Sequence, residues 1–157
     1  MNSDEIRIEE LEMMRAAYTR AVSKKPEEDA WKTLKSWTEP RGLLSEEGSF
    51  RLFGRNNPSP SGPDQEYGYE FFLTVGPEVV PEGKIEIREI KACLCAVLRF
   101  KGIEHITEMW HRLIEWIQKS EYDFAGHEEP YGYEELLNPL EKSTSEWMFD
   151  LWAPIRK

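Results

Sequence analysis

The segment Lys84–Phe100, KIEIREIKACLCAVLRF, decides the fold. Ile85 and Ile87 alternate with charged residues, and β-favouring residues then run on to Phe100. Alternation passing into a short apolar run reads as a strand that is half-buried and then buried. Residues 3–22, taken alone, read as helix on propensity. The two segments are not independent. When the sequence is slid against itself by 79 positions, Ile6, Ile8 and Glu10 fall on Ile85, Ile87 and Glu89, Ala17 on Ala96, and Arg20 on Arg99. Trp31, Leu34 and Trp37 fall on Trp110, Leu113 and Trp116, which makes eight identities in 32 gap-free positions. Two copies mark a pseudo-symmetric pair rather than a solenoid. The repeat therefore predicts a long strand in residues 3–22 as well. The doubled positions Met13-Met14 and Ala16-Ala17 predict a bulge or kink within it.

A helix follows each strand. In residues 26–38 the apolar positions Ala30, Trp31, Leu34 and Trp37 keep one face. Pro26 suits the first turn, Glu27, Glu28 and Asp29 suit the positive end of the helix dipole, and Pro40 stops the helix. In residues 103–119 Ile103, Ile106, Trp110, Leu113 and Ile117 form the matching stripe, with Gly102 as the N-cap. Two more strand-like stretches follow each helix, at 50–54 and 67–75 in the first copy and at 131–137 and 147–155 in the second. The segments between them are turn-rich. Each half thus reads as strand–helix–strand–strand, with repeats of about residues 5–76 and 84–156 joined by the turn-rich 76–83. The predicted class is α+β: one domain over residues 1–157, with an antiparallel sheet, two main helices on one face and an aromatic-lined cavity.

The totals agree with one globular domain. The chain has 157 residues, 39% apolar and 32% charged. A net charge of −10 argues against binding a phosphate backbone directly and suits solubility or a cationic partner. The acidic N-terminus lacks the apolar core of a signal peptide, and the longest apolar run, Ala92–Leu98, is too short to span a bilayer. Cys93 and Cys95, two apart on a strand, share a face without bonding easily. A reduced, cytoplasmic protein is expected. His105 and His111 fall on different helix faces and His127 is isolated, so no metal site is expected, and no cofactor motif is present.

Several short motifs, in this order, resemble the GyrI-like, or AraC-type effector-binding, domain family. They are Phe53-Gly54-Arg55-Asn56-Asn57-Pro58, Tyr67-Gly68-Tyr69-Glu70, Trp110-x-x-Leu113-x-x-Trp116, Tyr133-Glu134-Glu135-Leu136-Leu137-Asn138 and Leu151-Trp152-Ala153-Pro154-Ile155. The resemblance runs from about residue 6 to 155 and implies a stand-alone member. It implies a central cavity that takes bulky, hydrophobic, often cationic aromatic molecules of drug or xenobiotic type. Two other roles known in the family follow as alternatives. One is a hydrolase that detoxifies cyclopropane-bearing DNA alkylators, and the other is an interaction protein that protects gyrase from toxins.

Glu134 is the first candidate for a counter-charge. Alternation alone leaves open whether Glu134 or Glu135 points inward, and the resemblance favours Glu134. Glu70 is second and, on the module alignment, pairs with Asp150; period-two geometry puts Glu70 with Phe72, and Asp150 with Trp152. Trp110, Tyr69, Phe72, Tyr133 and Trp152 are the candidate aromatic walls, since a cation over an aromatic face gains about 0.5–2 kcal/mol. In an enzyme, Glu134 or Glu70 would activate or orient a water. Leu34 and Leu113 are assigned to the core. Arg55-Asn56-Asn57-Pro58 reads as a capped turn.

Overall fold

The computed structural model describes residues 6–44, 50–62, 64–129 and 131–157. The extreme N-terminus, part of the acidic start noted above, lies outside them. The chain divides into two compact units, residues 14–90 and residues 1–13 with 91–157.

The unit of residues 14–90 contains β2 (Met14–Ser23), α1 (Pro26–Thr38), β3 (Leu52–Asn56), β4 (Tyr67–Thr74) and β5 (Glu86–Ile90). Its antiparallel strands run in the order β3-β4-β2-β5. The other unit contains β1 (Ile6–Leu11), β6 (Cys93–Lys101), α2 (Ile106–Gln118), β7 (Asp123–Phe124), β8 (Tyr133–Leu136) and β9 (Met148–Arg156). Its order is β1-β6-β9-β8, with β7 also on β9. The class is α+β with antiparallel strands, and strand–helix–strand–strand recurs.

Residues 6–22 are extended, as the repeat requires and propensity denies. Ala16, Ala17, Tyr18 and Thr19 are all buried, so both faces of β2 are covered there. Small and aromatic side chains satisfy that arrangement in a strand. The expected kink is a complete break. β1 ends at Leu11 and β2 begins at Met14, and the two pair with different strands, β6 and β4/β5. The second copy breaks at the equivalent place, between Ile90 and Cys93. A single long strand, even a bulged one, would keep its pairing partners in line; the break lets one sequence segment serve two units.

α1 starts with Pro26 in its first turn and ends at Thr38, ahead of a 3-10 turn that contains Pro40. Ala30, Leu34 and Trp37 are its buried stripe, and Trp31 packs on Phe71 of β4 with ring centroids 5.7 Å apart. α2 buries Met109, Leu113 and Ile117 against Leu98, Phe149 and Leu151. Burying one such side chain is worth about 2 kcal/mol. Trp110 flanks that core rather than filling it. Gly102, at a φ of 94°, caps the 3-10 turn Ile103–His105 that leads into α2. No described helix is long and apolar enough to cross a membrane.

Candidate functional site

β8 carries two consecutive glutamates and sends them to opposite faces. Glu134 lies opposite Leu151, whose side chain belongs to the core under α2. Glu135 lies opposite Asp150 on the other face. Each carboxylate accepts a hydrogen bond from an indole. Trp110 Nε1 of α2 donates to Glu134 Oε2 at 2.8 Å, and Trp152 Nε1 of β9 donates to Glu135 Oε1 at 3.0 Å. The Trp110–Glu134 pair is half-buried, whereas Glu135, Trp152 and Tyr133 are buried.

Local sequence explains this placement. Gly132 enters β8 with a φ of 106°, and a Cβ there would lie 2.9 Å from the Trp152 carbonyl oxygen and 3.8 Å from the Trp110 ring. Only glycine accepts that backbone without strain, so β8 can lie close to β9 and below Trp110.

On the face of this unit away from α2, Asp150 is held by two arginines. Arg99 donates from Nε to Oδ1 at 2.8 Å and from Nη2 to Oδ2 at 3.0 Å, and Arg7 Nη2 donates to Oδ2 at 2.8 Å. Burial acts to raise the Asp150 pKa, but these bonds outweigh it and hold the carboxyl below its ordinary value.

In the unit of residues 14–90 the equivalent position is Glu70. It lies opposite Arg20 and Arg55, as Asp150 lies opposite Arg99 and Glu135. Arg55 Nε donates to Glu70 Oε1 at 2.7 Å, and the Tyr18 hydroxyl donates to Oε2. Arg20 turns instead to the Asn57 carbonyl at 2.7 Å. Burial and the hydrogen bond to Glu70 push the Tyr18 hydroxyl far up, so it stays protonated and a donor. Phe72 shares this face, 5.0 Å from the Tyr18 ring, and three arginines stack on its aromatics: Arg88 on Tyr18, Arg51 on Phe53 and Arg55 on Phe72. Tyr69 points to the α1 side, over Gly54, where a Cβ would collide with its ring.

The sequence candidates therefore fall into separate groups. Glu134 and Trp110 meet on the α2 side of one unit. Tyr133, Trp152 and Asp150 share that unit's other face. Glu70 and Phe72 are together in the second unit, and Tyr69 is on its opposite face. A groove of about 480 Å³ runs along α1 beside Glu82–Ile85, and its rim carries Lys32, Arg41 and Lys84; none of the candidates lines it. Sequence reasoning assigned no partner to Glu70 and read Arg55 as part of a turn. Arg55 is in β3, and its guanidinium is the ion partner of Glu70. The strand predicted at 50–54 stops one residue short of Arg55, and extending it by one residue places an arginine beside the strand that carries Glu70.

This chain belongs to the GyrI-like small molecule binding domain family, which it matches over residues 4–156. No curated protein resembles it closely enough in sequence to count as a match. Among solved structures it is similar to the C-terminal domain of EcmrR, with 16% identity and a TM-score of 0.72, covering 97% of each chain. It spans 57% of the EcmrR chain seen in a complex with DNA. A hydrolase from Listeria innocua shares 10% identity at a TM-score of 0.67, with 97% of this chain and 92% of that one covered. SAV2435, whose structure contains tetraphenylphosphonium, shares 9% identity at a TM-score of 0.55, with 97% and 94% covered. At these identities the likeness establishes the fold.

Proposed function

We propose that this small-molecule binding domain takes bulky hydrophobic cations, with Glu134 as the counter-charge and Trp110 as an aromatic wall. The observation that carries this reading is the Trp110–Glu134 hydrogen bond on a half-buried surface beside the α2 core. The indole N–H fixes the orientation of the carboxylate. Glu135, on the other face, has the same kind of donor but is buried, as are Asp150 and Glu70. Of these acids, Glu134 is the one open to solvent, whereas Glu70, Glu135 and Asp150 are buried. A lipophilic cation would gain the aromatic contact, about 0.5–2 kcal/mol, and a charge interaction at low dielectric. The tetraphenylphosphonium bound to SAV2435 is a molecule of this chemistry.

The test is a titration of the protein with tetraphenylphosphonium and with neutral triphenylphosphine oxide, followed by calorimetry. Glu134→Gln keeps the Trp110 hydrogen bond and removes the charge. It is expected to weaken binding of the cation by about tenfold or more and to leave the neutral compound unchanged. Equal affinity of the variant and the parent for the cation would refute the assignment of Glu134. Conversion of a cyclopropane-bearing alkylator to its water adduct, lost in Glu134→Gln, would replace the binding reading by the hydrolase.

A further inference from the structure

We propose that Cys93 and Cys95 form a dithiol site that captures monosubstituted trivalent arsenicals, compounds in which arsenic carries one organic group. The two residues are i and i+2 on β6, and their Sγ atoms are 3.3 Å apart. Cys95 is fully buried and Cys93 is half-exposed. Neither belongs to the Trp110–Glu134 site.

Strand geometry disfavours a direct disulfide. Same-face neighbours have Cα atoms about 6.6 Å apart, at the upper limit for a disulfide, which also needs Cβ atoms at roughly 3.8 Å. β6 is also held on both sides at this point: Cys93 pairs with Leu11 and Cys95 with Glu9 of β1, and Cys95 pairs with Pro154 of β9. Closing the sulfurs to bonding distance would buckle a central strand. A bridge through one larger atom needs no such closure. Two sulfurs on one pyramidal arsenic subtend nearly a right angle and stand well beyond a disulfide bond, which is the kind of separation observed.

The number of ligands selects the class of guest. Among the described residues no group of three or more His, Cys, Asp or Glu side chains is arranged to hold a metal ion. Zinc takes four protein ligands in structural sites and three in catalytic ones. A monosubstituted arsenical brings its own carbon as the third substituent and asks the protein for two soft sulfurs. The pair is also graded for reaction in order. The hydrogen bond from Cys95 holds the Cys93 thiol below its ordinary pKa, while that bond and burial push the Cys95 thiol up. The half-exposed Cys93 attacks first, and the second sulfur closes the ring. For an arsenoxide, two S–H bonds and the arsenic–oxygen bond are lost and two As–S bonds form. The oxygen leaves as water with both thiol protons, and arsenic remains trivalent.

Cys93 and Cys95 are the only two cysteines in the chain, so intact-mass spectrometry with phenylarsine oxide reads this pair alone. The expected product is one phenylarsenic per chain with loss of two protons. It should survive a large excess of glutathione, be stripped by dithiothreitol, and raise the melting temperature. Cys93→Ser and Cys95→Ser should each give only an adduct that glutathione removes. If Cys95→Ser does not fold, Cys93→Ser at its half-exposed position carries the comparison. A glutathione-resistant adduct in Cys93→Ser, no such adduct in the parent, or two arsenicals per chain would overturn the proposal. So would ready formation of an intramolecular disulfide under a mild thiol oxidant, since that would show β6 yielding where the geometry requires it to resist.

Discussion

At the residue scale, the two units solve one electrostatic problem with different side chains. Each buries an acid at equivalent positions, Glu70 on β4 and Asp150 on β9, and each supplies guanidinium groups to hold it. Glu70 has Arg55, whose side chain is only 11% exposed, and Tyr18. Asp150 has Arg7 and Arg99, which reach it from the solvent side with exposures of 36% and 50%. Removing one partner of a buried pair normally costs 3–5 kcal/mol. Arg7 and Arg99 can return to water, so Asp150→Asn is expected to cost less, about 2 kcal/mol near pH 7. The sign of the pH dependence follows from the direction of the shift. The folded Asp150 carboxyl titrates below its unfolded value, near 3.9, so its stabilisation is complete above that value and disappears as pH falls through the folded pKa. Urea unfolding of parent and Asp150→Asn should therefore give midpoints that differ near neutrality and converge as pH falls below about 4. A gap that persists undiminished at acid pH would mean that shape rather than charge makes Asp150 matter.

At the element scale, the modules should be energetically interchangeable where they are structurally equivalent. Leu34 on α1 and Leu113 on α2 are both fully buried and 79 positions apart. Leu34→Ala and Leu113→Ala are each expected to cost about 3 kcal/mol, the mid-range for such truncations, with closely matched denaturant midpoints. A near-zero effect at one site would break the equivalence. The same elements show what could be read in advance. Both helices were legible because their stripes have a period near 3.6 and α1 has its proline and acidic first turn. The strand character of residues 6–22 was legible only through the repeat, because their intrinsic preference is helical and tertiary pairing overrides it. The break at residues 12–13 was hidden, since it depends on which strands the two pieces join. In the candidate site, alternation showed that Glu134 and Glu135 must part company but did not say which one meets α2. That is fixed by the register of β8 on β9. The partners of Glu70 and Asp150 lie 15 to 143 residues away along the chain, beyond any local pattern.

At the scale of the whole molecule, a net charge of −10 puts every cationic ligand in an attractive field before it touches a side chain. That field and the charge of Glu134 respond differently to salt. Diffuse attraction acts over a Debye length, which shrinks from about 30 Å at 0.01 M to about 8 Å at 0.15 M ionic strength. The contact between Glu134 and a bound cation is at close range on a half-buried surface and is screened far less. The affinity of the parent protein for tetraphenylphosphonium is therefore expected to fall about two- to threefold across that salt range. Affinity for triphenylphosphine oxide should not change. In Glu134→Gln nine-tenths of the field survives, so the salt slope should remain while the whole curve shifts to weaker binding. Parallel curves assign the offset to a local counter-charge. Loss of the slope together with the offset would mean that Glu134 acts only as one more unit of surface charge, and the cation would then have to be held by other residues.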